Sequence, residues 1–178
     1  MGTNEHNQPC DMRAYGFLTA IKLMFQHKIS IVDDNILIIG NQKTLALPIE
    51  NNFKKIGVNC KRIATSAEPE EIMQSIKWAS YLLIAEHGDD RLIIGENGII
   101  SDELIINSNI AGIGVITGQI EIEKLKSHNI SIYPKEIAPK GYMSFQPSEL
   151  GPYPVMDLFS AGIKVGEAMS GARNKDLS

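Results

Sequence analysis

The sequence predicts an α/β domain of three layers, built around a mostly parallel sheet of five or six strands. Short apolar segments of strand length alternate along the chain with segments of helical periodicity, which is typical of a parallel sheet with crossover helices. The strand segments are apolar throughout rather than at every second residue. This pattern is expected where helices cover both faces of a sheet.

The individual elements follow from these segments in chain order. The predicted strands are Ile36–Ile39, Asn59–Ile63, Tyr81–Ala85, Ala111–Ile116 and Ile130–Tyr133. The predicted helices are Ala14–Gln26, Leu47–Ile56, Pro69–Ala79, Asp102–Asn107, Glu121–His128 and Pro154–Ser170. The first and last helices flank the part of the chain in which strands and helices alternate.

Several element ends have a physical cause in the sequence. Pro48 should lie in the first turn of its helix, because a proline in the interior would break it. Pro69 likewise suits the first turn of the next helix. Gly57 is a suitable residue to end the first crossover helix, and Ser101 can cap the short third one.

The chain is expected to form a single domain over residues 13–173, with flexible tails at 1–12 and 174–178. The segment Pro134–Tyr153 is rich in proline, glycine and serine, so we predict a long irregular loop. Loops of this length in compact domains are often functional. This one could cover a ligand, or it could pack its aromatic residues over the edge of the sheet.

Composition excludes several classes of function. The net charge is −4 and no long basic or acidic block occurs, so neither nucleic acid nor an anionic membrane surface is an expected partner. The chain has no apolar run of about 18 residues and no signal-peptide pattern, which predicts a soluble cytoplasmic protein. Cys10 and Cys60 have no metal-ligand spacing, so we expect reduced thiols and no metal site.

The most informative motif follows the first strand. An apolar run over Asn35–Gly40 ends on a glycine, and the chain continues as Gly40-Asn41-Gln42-Lys43-Thr44-Leu45. In a dinucleotide-binding βαβ unit this turn would read G-x-G-x-x-G. Gln42 and Leu45 replace the second and third glycines. Because the second glycine lets the backbone approach a pyrophosphate, the Gln42 side chain obstructs that approach.

Three further segments match the layout of one family of domains. A long helix over Arg13–Gln26 precedes the first strand, a late strand leads through a glycine-containing turn into an acidic helix over Ile113–Leu125, and the helix Pro154–Ser170 follows. The arrangement resembles the NAD(P)-binding domain shared by D-2-hydroxyacid dehydrogenases and adenosylhomocysteinase-like enzymes, with a degenerate glycine motif. The resemblance implies a Rossmann-like fold, NAD or NADP as cofactor and an oxidoreductase-related function. A shikimate-dehydrogenase-like nucleotide domain fits the first half about equally well.

The chain departs from that family at two further places. The second strand runs into Lys61–Ser66 without the carboxylate that would hold a ribose 2′-hydroxyl. Arg62, together with the hydroxyls of Thr65 and Ser66, could instead favour a 2′-phosphate. The turn that would carry the catalytic arginine of a dehydrogenase contains Thr117-Gly118. The hydroxyacid dehydrogenase mechanism is therefore not carried over to this chain.

Ligands of open α/β sheets bind beyond the carboxyl ends of the strands. This rule gathers the candidate cofactor-binding residues on one rim: Gly40, Asn41, Gln42, Lys43, Thr44, Thr65, Ser66, Thr117 and Gly118. Lys43 and Thr44 could hold a phosphate at a helix N-terminus, where free N–H groups favour anions. They could equally form a solvated turn in which the threonine caps the helix.

The densest polar cluster is Glu86–Arg91, directly after the predicted strand Tyr81–Ala85. His87 and Glu86 are the candidate catalytic residues, as an acid–base pair, since histidine titrates near neutrality. Neighbouring residues on an extended chain point to opposite sides, so at most one of the two faces a pocket. Alternatively, the cluster is a polar loop leading into a small hairpin through Gly95–Gly98.

The final predicted helix carries small residues at Gly162, Gly166 and Ser170, every four residues on one face. Such a face allows close approach of another helix. The partner could be the N-terminal helix of the same chain or the equivalent helix of a second subunit, and a homodimer through the terminal helices is our expectation.

Two functions of different classes follow from these residues. The first is an NAD(P)-binding domain with oxidoreductase-related activity, which would bind a small-molecule ligand at the rim. The second is a degenerate, non-catalytic Rossmann protein that serves as a partner or accessory factor in a biosynthetic pathway. The strand–Gly40–helix layout favours the first, whereas Gln42 and the missing carboxylate favour the second. The sequence leaves open whether the protein is an enzyme.

Overall fold

A computed structural model describes residues 35–41, 43, 45–55, 57–86 and 90–133 of the chain. These residues belong to one compact unit, Asp33–Tyr133. The predicted terminal helices, the predicted loop Pro134–Tyr153 and both predicted tails lie outside the described residues. The single domain over 13–173 therefore stays a prediction.

Twelve elements make up the described part of the chain. The strands are β1 (Asn35–Ile39), β2 (Asn59–Ile63), β3 (Tyr81–Ala85), β4 (Leu92–Gly95), β5 (Ile100–Ser101), β6 (Gly112–Thr117), β7 (Gln119–Ile120) and β8 (Ser131–Tyr133). The helices are α1 (Ala46–Lys55), α2 (Pro69–Trp78), α3 (Asp102–Ile106) and α4 (Glu123–Ser127).

The main sheet has five strands in the order β2-β1-β3-β6-β8, and every neighbouring pair is parallel. This confirms the predicted Rossmann-like α/β fold with a parallel sheet. From β1 the chain first crosses to β2 on one side and then returns to β3 on the other side. The order of the strands therefore reverses between β1 and β3, which makes their shared carboxyl end the topological switch point of the sheet.

Alternate residues of the strands supply two apolar faces. Residues of β1, β3 and β6 form one core with residues of the helices α2, α3 and α4; this core includes Leu37, Leu82, Ile113, Ile76, Ile105 and Leu125. Ile36 and Ile38 alternate with Leu37 along β1, so they point to the opposite face, and both are fully buried. Helix α1 contacts β1 and β2 and buries Ile49 and Phe53 outside the first core. Helices therefore lie on both sides of the sheet.

The predicted causes of the element ends are confirmed. Pro48 lies in the first turn of α1 and Pro69 is the first residue of α2. Gly57 has a φ of +85° and follows α1, where Val58 N–H donates to the Phe53 carbonyl at 3.0 Å. The Ser101 side chain accepts a hydrogen bond from the Glu103 amide at 3.2 Å and so caps α3.

A second sheet of three short strands, in the order β5-β4-β7, corrects one expectation. The hairpin through Gly95–Gly98 is wrong, because β4 and β5 pair in parallel, with Ile94 opposite Ile100. The connecting turn folds over β4 itself: Gly98 N–H donates to the Gly95 carbonyl at 3.2 Å. A Cβ on Gly98 would lie 2.8 Å from the Gly95 nitrogen, so only a glycine lets the chain pass this close. After this turn the chain enters β5 in the same direction as β4.

Among the described residues, no helix has the length and apolar character needed to cross a membrane.

Candidate functional site

The carboxyl ends of β1, β3 and β6 bring three of the predicted segments to one edge of the main sheet. Ile39 of β1 lies opposite Ile84 of β3, and Ala85 lies opposite Thr117 of β6. The Glu86 amide continues this pairing by donating to the Thr117 carbonyl at 3.3 Å. The predicted candidates Gly40, Glu86 and Thr117 therefore lie at the carboxyl ends of three neighbouring strands, at the switch-point edge.

Gly40 closes the turn after β1 against the backbone of β3. Its amide donates to the Ile63 carbonyl of β2 at 2.9 Å. A Cβ at this position would lie 2.3 Å from the Ala85 carbonyl oxygen, which is far inside van der Waals contact. The first glycine of a dinucleotide-binding motif serves a tight turn of this kind. Gly40 therefore meets the backbone requirement of that first position.

Glu86 reaches across the switch point to the turn after β1. The Asn41 amide donates to the Glu86 Oε2 atom at 3.2 Å, and Glu86 is only 8% exposed. The sequence predicted an acid–base role for Glu86 and gave no sign of this contact, since the two residues are 45 positions apart. Asn41 and Lys43 themselves are exposed on the turn.

Arg62 connects β2 to the same turn and to helix α1. Its Nε donates to the Glu50 Oε1 atom at 3.2 Å and its Nη1 donates to the Gly40 carbonyl at 3.2 Å. Glu50 also pairs with Lys54 Nζ at 3.3 Å. The Arg62 guanidinium was predicted to favour a 2′-phosphate. Two of its N–H donors instead bind groups of the protein itself. Sequence spacing could not identify Glu50 as the partner, because α1 crosses over β2 only in the folded chain.

Thr65 and Ser66 lie in the turn that follows β2, where the Ala67 amide donates to the Ala64 carbonyl at 3.1 Å. Thr65 is half-buried and Ser66 is exposed. Thr117 and Gly118 are both half-buried at the end of β6. The predicted candidates Gln42, Thr44 and His87 lie outside the described residues, so their roles stay predictions.

Cys60 has the chemistry of a structural thiol. Burial, reinforced by the negative charge of Glu50, raises its pKa to about 11. At neutral pH the side chain is therefore a protonated thiol rather than the thiolate that nucleophilic or metal chemistry requires. Among the residues that the structure describes, no three His, Cys, Asp or Glu side chains come together as possible metal ligands.

A separate cavity of about 440 Å³ lies beside the small sheet and was not predicted from the sequence. It is lined by Glu96, Asp102, Glu121, Ile122, Glu123 and Lys124. Asp102 is 3% exposed, and its carboxylate lies 3.7 Å from Lys124 Nζ. Lys124 also donates to Glu103, which raises the pKa of the lysine and lowers that of the glutamate. The buried carboxylate is thus paired within the protein.

No protein-family model and no characterised protein matches the chain in sequence. Several solved structures are similar in backbone, including the following two. A 5,10-methylenetetrahydrofolate dehydrogenase from the silkworm Bombyx mori shares 14% identity over 88% of this chain and 52% of that one, with a TM-score of 0.43. An NADPH-dependent glyoxylate/hydroxypyruvate reductase from Sinorhizobium meliloti, in its apo form, shares 10% identity over 97% of this chain and 85% of that one, with a TM-score of 0.48. This chain spans about half the length of the silkworm enzyme. The parallel strand order, rather than either likeness, carries the fold assignment.

Proposed function

We propose that this Rossmann-like domain binds a nicotinamide dinucleotide, NAD or NADP, at the switch point between β1 and β3, and that its function is oxidoreductase-related. The main support is the meeting of the Gly40–Asn41 turn with the end of β3 at this edge. Doubly wound sheets bind their ligands at such a point. The close approach of Gly40 to Ala85 also satisfies the first position of the glycine motif.

The residues at the edge fit a dinucleotide in part. Lys43 is exposed on the turn before α1 and is suited to a phosphate. Thr65 and Ser66 would face the ribose of the adenosine, and Thr117 and Gly118 would line the far side of the crevice. The Glu86 carboxylate already accepts from the Asn41 amide, so it would repel a pyrophosphate at that position. His87 remains the proposed acid–base group, whereas Glu86 is engaged in holding the turn.

Titration with NADH and NADPH, followed by nicotinamide fluorescence and by calorimetry, tests this function. We expect saturable binding of at least one of the two dinucleotides. Lys43→Ala should weaken it, because an exposed phosphate-binding cation is lost. Lys55→Ala is the matched control, since Lys55 is an exposed lysine at the opposite end of α1. Equal affinities of the two variants would place the phosphates elsewhere.

A second candidate is a non-catalytic accessory protein of a biosynthetic pathway, in which the domain binds no dinucleotide. Two contacts favour it: the Asn41 amide already has a carboxylate acceptor, and Arg62 is bound to Glu50. A ligand phosphate would have to compete with both. This candidate would be favoured if neither dinucleotide binds at about 1 mM. A dissociation constant of that size corresponds to only ~4 kcal/mol of binding free energy.

We also propose that the protein is a homodimer through its terminal helices. Gly162, Gly166 and Ser170 belong to the predicted helix Pro154–Ser170, which lies outside the described residues. Each glycine inside a helix costs about 1 kcal/mol relative to alanine, and close packing of a second helix would offset that. Gly166→Leu should therefore weaken association by about 1–3 kcal/mol through overpacking. Light scattering measures this; a monomeric unmodified protein at high micromolar concentration would contradict the dimer.

A further inference from the structure

Glu86 introduces a negative charge into the turn that we propose as a nucleotide site. The residue as a whole is 8% exposed, so most of Glu86 is buried. The Asn41 amide donates to Oε2 at 3.2 Å, and the Glu86 amide is held by the Thr117 carbonyl at 3.3 Å. Glu86 is therefore held on both sides of β3, its amide by the end of β6 and its carboxylate by the turn after β1.

The amide that Glu86 binds is the first one after Gly40, at the turn that leads into α1. Amides before a helix are favourable partners for anions, and ligand phosphates commonly use them. Here a side chain of the protein provides the anion. A ligand phosphate at the same amide would lie within a few ångströms of this carboxylate, where weak solvent screening makes the repulsion large.

We infer that Glu86 is a specificity-determining residue of this site, which rests on the proposed ligand-binding role of the switch point. Its carboxylate takes the place of a phosphate at the Asn41 amide and disfavours phosphate groups there. Carboxylate oxygens have several lone pairs and accept from hydroxyl groups as well as amides. The part of a ligand that meets this turn is thus an uncharged hydrogen-bond donor, such as a ribose hydroxyl, and any phosphate binds further along the turn.

Glu86→Gln separates charge from shape, because glutamine is of the same size and still accepts the Asn41 N–H. Glu71→Gln is the control: it removes one negative charge at an exposed position on α2, where solvent and salt screen it. Pyrophosphate and NADH are the two probes. Binding of pyrophosphate is followed through the NMR signal of the Asn41 amide, and NADH by fluorescence.

We expect Glu86→Gln to bind pyrophosphate at least about tenfold more tightly than the unmodified protein, because a nearby like charge is removed. Glu71→Gln should behave as the unmodified protein does. In the unmodified protein, millimolar pyrophosphate should shift the Asn41 amide signal less than the Lys43 amide signal, because any phosphate binds further along the turn. This last measurement needs no variant, so the inference stays testable even where Glu86→Gln impairs folding; a larger shift of Asn41 than of Lys43 would overturn it.

The two probes distinguish failure of this inference from failure of the proposed function. A gain for pyrophosphate without NADH binding by any variant would support the role of Glu86 and contradict the dinucleotide function. If the unmodified protein binds NADH and Glu86→Gln shows no gain in pyrophosphate affinity, the proposed function stays intact and the role of Glu86 is overturned. Loss of NADH binding in Glu86→Gln without a gain in pyrophosphate affinity would also overturn it, because the carboxylate would then contact the ligand without disfavouring phosphate.

Discussion

In the main sheet, the amino-terminal ends of the parallel strands lie along one edge, here called the amino edge, and their carboxyl ends lie along the opposite one, the carboxyl edge. The two are held together by different kinds of interaction. At the amino edge, the Asn35 side chain donates to the Trp78 carbonyl at 2.9 Å and accepts from the Asn59 amide group at 2.7 Å. These neutral bonds join the starts of β1 and β2 to the end of α2. At the carboxyl edge, the charged groups of Glu86 and Arg62 bind the turn that contains Gly40 and Asn41.

Because of this difference, we expect the amino edge to contribute to the stability of the fold and the carboxyl edge to determine which ligands bind. A neutral amide that is satisfied within the sheet contributes a modest amount to folding and has no long-range field. A charged group beside backbone amides acts on any ligand that approaches them. Substitutions at the amino edge should therefore change the free energy of unfolding alone, while charge changes at the carboxyl edge should change ligand affinity.

The largest effect is expected at Gly40, because its turn depends on close contact between backbones. Gly40→Ala places a methyl group 2.3 Å from the Ala85 carbonyl oxygen, and a main-chain atom of a central strand has little room to move. We expect the free energy of unfolding to fall by about 3 kcal/mol, as in other overpacked sites. Urea denaturation measures the change.

Gly57 at the other end of α1 provides the control for this substitution. A Cβ there meets nothing within 4 Å, but the backbone has a φ of +85°. Gly57→Ala should cost about 1 kcal/mol from backbone conformation alone. Equal losses at the two glycines would mean that conformation, and not the contact with Ala85, makes Gly40 necessary.

A smaller effect is expected at the amino edge. Asn35→Ala removes both side-chain hydrogen bonds of Asn35 and should lower the free energy of unfolding by about 2 kcal/mol. Asn59→Ala removes only one of these bonds and should cost about 1 kcal/mol. Neither variant should change the affinity for NADH or for pyrophosphate. A change in either affinity would show that the two edges are coupled and would break the contrast between them.

The main sheet could be predicted from the sequence because each strand carries its own local signal. Asn59–Ile63 and Tyr81–Ala85 are the predicted strands without any change, and the other three differ from the prediction by one residue at one end or at both ends. The small sheet could not, since β5 and β7 have two residues each and no periodicity to detect. Its parallel direction depends on the turn at Gly98, which folds back against the backbone of β4.

The positions of the candidate residues in the fold were predictable, but their contacts were not. The rule for parallel sheets correctly brought Gly40, Glu86 and Thr117 to one edge, because strand ends fix the backbone there. The partner of each side chain depends on residues that are distant in the chain. The contacts of Glu86 with Asn41 and of Arg62 with Glu50 both join residues that are distant in the chain. They cannot be predicted from the spacing of residues in the sequence.

The smallest predicted effect concerns Gln42, the residue at the second glycine position. If a nucleotide binds against Asn41–Thr44, Gln42→Gly should clear the approach of the backbone and keep the affinity for NADH or raise it by a few fold, about 1 kcal/mol or less. Calorimetric titration of the variant beside the unmodified protein measures this. The gain in NADH affinity should be smaller than the gain in pyrophosphate affinity of Glu86→Gln, because removal of an uncharged side chain relieves a steric obstruction and leaves the repulsion by the carboxylate in place. A clear loss of affinity would mean that the Gln42 side chain contacts the ligand, and the carboxyl edge would then recognise its ligand through side chains rather than through the amides of the turn.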